Sequence, residues 1–410
     1  MTNDDIIKAA YKVWGQDLYR TTSLTDIARE LGVSKPALYR HFKDKDAILD
    51  AMYTAFFDDC AGFIKNGYNK ALKTGDTRKS YLIWLRTIAE YYAQNKDAFI
   101  FSLIQVFSGK DRPSLNREFF ERGIDFQHPA LNDESSAYPS KMQLGMATCV
   151  FCLAHFHSPV PRKNEPNTAE TIKNSVAEVE KLVTGGLCLD AKKVASLNFK
   201  KLEEEARKTE YEDTETNALL RAVAAAVGEA GPWHASMEMV AKRCGLSKSG
   251  LYAHFKNKQD MISRLFISEF TRIVKFAKAQ IETTAVSEEQ VYLTIISIVN
   301  YLRARPEILQ AVDWIKTNRL DLGKDVQSYL YRIIGTVKIE AIQDYNRDRL
   351  VYVAQWILFM IVNTLALWQI GKSTKKMREN IFWARNVVEI PDESFRILFR
   401  FIALGVKGLK

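Results

Sequence analysis

The sequence predicts an all-α protein of two tandem units, each a three-helix helix-turn-helix domain followed by a larger helical core. Three observations carry this. First, only 10 prolines and 19 glycines are spread over 410 residues, too few for a sandwich or barrel full of turns, and long Ala-, Leu-, Lys- and Glu-containing stretches favour helix. Second, a segment near the start returns later in the chain. Gly32-Val33-Ser34-Lys35 and Leu38-Tyr39-Arg40-His41-Phe42-Lys43-Asp44-Lys45 recur as Gly245-Leu246-Ser247-Lys248 and Leu251-Tyr252-Ala253-His254-Phe255-Lys256-Asn257-Lys258, without a gap, 213 residues on. Third, the apolar residues upstream keep the same spacing: Ile6, Ile7, Ala10, Val13 and Trp14 match Leu219, Leu220, Val223, Ala226 and Val227.

Each element of the repeat follows from local chemistry. The set Ile6, Ile7, Ala10, Val13 and Trp14 forms one stripe of a first helix. Ser23 is placed to cap a second, with Asp26 near its positive end, and Ile27, Ala28 and Leu31 form its inner side. Gly32 supplies the left-handed stop that a Cβ resists. Ser34 caps a third helix, whose first turn tolerates Pro36 because amides there have no intrahelical partner to lose. Two helices joined by a tight glycine turn make a helix-turn-helix.

At 100° per residue Leu38, His41 and Phe42 fall on the inner side of the third helix. Lys35, Pro36, Tyr39 and Arg40 fall opposite, with Ala37 at the margin. Cations, a phenol and small residues on one exposed face suit a major groove about 12 Å wide, which admits a helix. The second copy presents Lys248, Ser249, Gly250, Tyr252 and Ala253. A basic face on one short helix is more commonly a solvated face than a reading surface; its duplication in register makes the stronger case.

At Asp26-Ile27-Ala28, Gly32-Val33-Ser34 and Leu38-Tyr39-Arg40-His41-Phe42 the chain resembles the TetR family of bacterial transcriptional regulators. The second copy keeps Ala241, Gly245-Leu246-Ser247 and Leu251-Tyr252-Ala253-His254-Phe255. The signature covers about 45 residues of each half. The resemblance implies that Lys35, Pro36, Ala37 and Arg40 face bases while Thr25, Tyr39 and Lys45 hold phosphates. In the second copy it implies Lys248, Ser249, Gly250 and Ala253 for bases, with Tyr252 and Lys258 for phosphates. Glu238 stands where Thr25 stands and would repel a phosphate, and Gly250 costs about 1 kcal/mol of helix propensity relative to alanine. The second reading head is therefore expected to be the weaker or looser one.

Members of that family usually act as homodimers, so two heads in one chain imply an intramolecular pseudo-dimer on an imperfectly palindromic double-stranded DNA operator, read in successive major grooves about 34–36 Å apart. The expected organisation is a first head at 1–46, a first core at 47–189, a charged linker at 190–214, a second head at 215–259 and a second core at 260–410. The linker, rich in Lys and Glu with Val194, Leu197 and Leu202 at helical spacing, reads as a solvated tether. The resemblance also implies a small-molecule effector in largely apolar pockets of the cores, with Trp84, Phe107, Met146, Trp314, Tyr329 and Phe359 as candidate lining. Repression is the family's usual mode. Further association of the whole chain is left open.

Composition bounds the alternatives. With 47% hydrophobic and 26% charged residues the chain is globular, and a net charge of +9 permits a nucleic-acid partner without requiring one. The opening Met1-Thr2-Asn3-Asp4-Asp5 is acidic where a secretion signal is basic, and the five cysteines are scattered, so reduced thiols and a cytoplasmic location are expected. Val351 to Ile370 is nearly long enough to span a bilayer, but Gln355, Asn363 and Gln369 interrupt it; a buried interface helix is the expectation, with no membrane partner. Cys149, Cys152, His155 and His157 could form a metal or redox site, but no second ligand pair accompanies them, so no metal or other cofactor is expected. With no Gly-rich phosphate loop, GxSxG elbow or HExxH, an enzyme is not expected. The competing function is a helical scaffold or membrane-associated protein whose heads no longer bind DNA.

Overall fold

A computed structural model describes residues 1–16, 23–103, 114–126, 128–131, 138–158, 167–208, 218–305, 308, 330–331, 334–335, 337, 339, 342–372 and 390–409. Among these the regular structure is helical, with no strand. The chain divides into two compact units, residues 1–136 with 140–181, and residues 182–410 with 137–139.

The first unit opens with α1 (Asn3–Gln16), α2 (Leu24–Leu31) and α3 (Lys35–Tyr39). Ile6, Ala10, Leu24, Ile27, Ala28 and Leu38 are buried between them and the start of α4 (Lys45–Leu72), where Ile48 and Met52 complete a small core. The larger core follows in α4, α5 (Thr77–Gln94), α6 (Lys96–Phe101), α7 (Leu115–Glu121), α8 (Lys141–Phe156) and α9 (Ala169–Gly185). Aromatic rings dominate it. Phe57 meets Phe119 edge-on at 5.3 Å, Trp84 lies against Tyr68 and Phe126, and Tyr91 donates to Asp59 Oδ2 at 2.8 Å. Cys149 and Cys152 are buried in α8, and desolvation pushes the Cys149 thiol up. His157 Nε2 is 2.8 Å from the Tyr92 carbonyl oxygen. Among the described residues no three metal-type ligands gather.

The second unit repeats the head in α12 (Ala218–His234), α13 (Met237–Arg243) and α14 (Lys248–Tyr252), preceded by α10 (Ala191–Ser196) and α11 (Phe199–Lys208). Its core is α15 (Lys258–Ile281), α16 (Ser287–Ala304), α17 (Arg347–Lys372) and α18 (Asp392–Leu404). The apolar window Arg347–Leu365 has the length and mean hydropathy (1.2) to cross a bilayer, and 61% of it is buried in the fold. Tyr301 donates to Glu269 Oε2 at 2.5 Å, the counterpart of the Tyr91–Asp59 pair, but here Glu269 is 1% exposed and also meets Arg305 at 3.1 Å.

Two features depart from the sequence reading. The charged stretch expected to be a solvated tether is packed helix as far as residue 208. Val194, Leu202 and Ala206 are buried, and Phe199 sits edge-on to Tyr292 at 4.8 Å. Glu203, 3% exposed, accepts two hydrogen bonds from Arg396, at 2.8 and 2.7 Å, and a third from Tyr292 at 2.5 Å. A carboxylate so buried needs such partners, because leaving it unpaired is costly. The second departure is the end of α9. Leu187 and Leu189 donate to the carbonyls of Ile402 and Ala403, at 2.8 and 3.1 Å, so residues 182–189 pack with the end of α18. The backbones approach so closely that a Cβ on Gly186 would lie 2.3 Å from the Ile402 oxygen, and one on Gly405 2.4 Å from the Thr184 carbonyl carbon.

Candidate nucleic-acid interface

The two heads share their turn to within a degree. Gly32 has φ +67° and Gly245 +66°, a region that L side chains rarely adopt. Past each glycine the chain closes the same way: Val33 donates to the Ala28 carbonyl and Leu246 to the Ala241 carbonyl, each at 2.9 Å. One inward leucine then fixes each recognition helix, Leu38 in α3 and Leu251 in α14, 1% and 0% exposed.

The opposite face is open in both heads. Lys35, Pro36, Tyr39 and Arg40 are exposed in α3 and just beyond it, with Ala37 half-buried. Lys248, Ser249, Tyr252 and Ala253 are exposed in and after α14, with Gly250 half-buried. Tyr39 and Tyr252 are 48% and 46% exposed, unusual for a ring with no partner to cover it. Thr25 is exposed at the start of α2. Lys45 and Lys258 begin the long helices α4 and α15 half-buried, and desolvation lowers the pKa of each ammonium. The residues expected to read bases and phosphates are thus exposed or half-buried in each head.

His41 is a correction. The helical projection turns it inward with Leu38 and Phe42, but it is exposed, with Nδ1 2.8 Å from Asn3 Oδ1, and Phe42 is only half-buried. The cause is length: α3 ends at Tyr39, so the residues after it leave the 100° progression. In the second head Phe255 is 3% exposed with the Arg264 guanidinium 5.7 Å from its ring centroid.

Charge separates the heads. Lys35 Nζ lies 5.9 Å from the Tyr39 ring centroid, with no carboxylate partner among the described residues. Lys248 is ion-paired to Glu238, the residue standing where the first head has Thr25. This pair draws the Glu238 pKa down and the Lys248 pKa up, the hydrogen bond between them being the largest cause. The sequence reading gave Glu238 as a phosphate repellent and missed its hold on Lys248. The signal was present, since a glycine turn brings together residues ten positions apart. Arg243 is likewise paired, to Glu229.

Of the candidate effector residues, Trp84 is fully buried, while Met146 on α8 and Phe359 on α17 are half-buried. Phe107, Trp314 and Tyr329 lie outside the described residues.

A family model for the N-terminal domain of bacterial regulatory proteins of the tetR family matches twice, at residues 6–52 and 219–265. Both heads therefore match the N-terminal domain of the tetR family. The chain is 34% identical over 93 residues to the uncharacterized HTH-type transcriptional regulator YuxN of Bacillus subtilis (strain 168), an alignment covering 22% of the chain and 31% of YuxN. It thus spans about a third of the length of the curated relative it matches. Among solved structures, the fatty acid degradation regulator FadR of Bacillus halodurans overlays at 16% identity and TM-score 0.33, over 44% of this chain and 96% of FadR. FadR of Bacillus subtilis, solved in complex with stearoyl-CoA, overlays at 19% identity and TM-score 0.32, over 42% and 98%.

Proposed function

We propose that this chain is a sequence-specific DNA-binding transcriptional regulator of the TetR family, a repressor, acting in the cytoplasm as a single-chain pseudo-dimer on an imperfectly palindromic operator. The observation that carries the reading is the duplicated recognition face: two short helices in the same turn, each with one buried leucine, an exposed tyrosine and an exposed lysine. An exposed lysine reaches guanine O6 and N7, a phenol reaches phosphate, and the following half-buried lysine holds the backbone. The pseudo-dimer reading is supported by the two matched heads in one chain, where family members usually act as homodimers.

A small apolar effector acting on the cores completes the proposal. In the first core the Trp84 indole N–H is fully buried, with no hydrogen-bond partner among the described residues, beside the rings of Tyr68 and Phe126. Buried donors are nearly always paired, so a polar atom of a ligand is a natural acceptor there. A ligand favouring one arrangement of the heads would shift the population away from the DNA-bound state.

Selection from a random duplex pool with the purified full chain tests the reading. Retention of a related set of two-half-site duplexes is expected, weakening steeply with salt as phosphate contacts release counterions. Retention of no duplex at low salt, or retention indifferent to Lys35→Ala with Tyr39→Ala, would overturn it.

A further inference from the structure

We propose that Glu238 is a specificity-determining residue that withholds Lys248 from DNA, making the second head a deliberately weak reader. This inference rests on the DNA-binding reading above. Glu238 lies in the first turn of α13, where the helix dipole favours an acid, and Lys248 opens α14 across the glycine turn. Their side chains, 63% and 55% exposed, meet on the surface that carries the recognition helix. In the first head the same two places hold Thr25 and Lys35, and among the described residues no carboxylate is ion-paired to that lysine.

The consequence is a difference in charge where the groove is entered. Thr25 with Lys35 brings one positive charge, and Arg40 adds another. Glu238 with Lys248 brings none, and Ala253 replaces the arginine. To read guanine, Lys248 must leave Glu238 and strand that carboxylate beside the phosphate backbone. The second half-site is therefore read mainly through Ser249 and by shape, and guanine at the position facing Lys248 matters little. The acid is not required by the fold. Its exposed ion pair contributes little to stability, and Ser236 caps the helix independently, accepting from Met239 N–H at 3.2 Å.

The test uses the full chain and the duplex selected by the wild type, with anisotropy titrations over a range of salt. Glu238→Thr should tighten binding roughly ten-fold, the worth of one good lysine–guanine contact. The slope of log affinity against log salt should steepen by about one. Lys248→Ala should be nearly silent in the wild type yet cost roughly ten-fold in the Glu238→Thr background. Glu238→Gln, which keeps the shape of the side chain without its charge, should reproduce the steeper slope; a purely structural role would not move it. Unchanged or weakened binding by Glu238→Thr, or an equal cost of Lys248→Ala in both backgrounds, overturns it. If Lys35→Ala still abolishes binding in that case, the DNA reading survives. If neither wild type nor variant retains DNA, both fall together.

Discussion

The first head of this chain shows solvent a lysine, a tyrosine and an arginine, at Lys35, Tyr39 and Arg40. The second shows a lysine bound to an acid, a tyrosine and an alanine, at Lys248, Tyr252 and Ala253. Beneath those faces the glycine turn, the inward leucine and the lysine that starts the next helix are the same. A single groove-entering helix tolerates few backbone changes but many surface changes, because its position is set by buried contacts and its reading by exposed ones. Divergence between the heads has therefore gone to exposed positions and left the buried placement of the helix unchanged. In two identical subunits any such change would alter both heads at once.

The cores diverge in the opposite way, and there the expected effects are largest. Each bridges its two long helices with a tyrosine donating to an acid, but Asp59 is exposed whereas Glu269 is buried against Arg305. Glu269→Ala should destabilise the second core by about 3–5 kcal/mol, because it takes the carboxylate from a buried guanidinium. Asp59→Ala should cost the first core only about 1 kcal/mol, one ordinary hydrogen bond. Urea denaturation followed by hydrogen exchange, which reports each core separately, measures both. Equal costs would mean that the buried charge in the second half is no more critical than the exposed one in the first.

The heads can be compared the same way through their matched phenylalanines. Phe255 is almost fully buried, so Phe255→Ala should cost about 3–5 kcal/mol. Phe42 is half-buried, and Phe42→Ala should cost roughly half as much, in proportion to the area it removes from water. Amide protection within residues 24–39 and 237–252 separates the two effects.

Adding the missing cation sharpens the charge difference. Ala253→Arg places a guanidinium where the first head has Arg40, and should tighten binding to the selected duplex about ten-fold, with Arg40→Ala weakening it by a like factor. Anisotropy on that duplex checks both, and a neutral Ala253→Arg would show that position 253 does not reach the groove.

Much of the heads was legible because their determinants are local: a glycine after a short amphipathic run fixes the turn, and one leucine fixes which side faces in. The five-residue length of α3 was not legible, because nothing in Arg40-His41-Phe42 forbids helix, and it is the packing of Phe42 and the His41–Asn3 contact that accompany its end. The fate of the charged stretch after Asp190 was not legible either. Glu203 is buried only because Arg396 stands opposite, 193 residues later, and a local reading assigns such a glutamate to solvent. The grip of Glu238 on Lys248 falls between these cases, since both residues were already assigned to the interface and only their mutual distance was missing.

The smallest expected difference is in response to acid, and it shows how similar backbones are held by different groups. In the first head Asp26, third residue of α2, accepts from the Ser23 backbone N–H and hydroxyl, each at 2.8 Å, and these bonds hold its carboxyl below the ordinary range. The second head has Met239 at that place. Two helices later the acid stands in the second head instead. Burial raises the pKa of Asp260, third residue of α15, but the Lys256 backbone N–H and Arg264 outweigh it and hold the carboxyl low, whereas the first head has Ala47. A carboxylate whose folded pKa is depressed stabilises fully above its unfolded value of about 4, and that contribution is lost as pH falls through the folded value. Lowering the pH from about 5 to about 2.5 should thus loosen the starts of α2 and α15. Hydrogen exchange read at those two helix starts checks the pattern. Asp26→Asn and Asp260→Asn should each erase one arm of it, because an amide can accept the same hydrogen bonds without titrating.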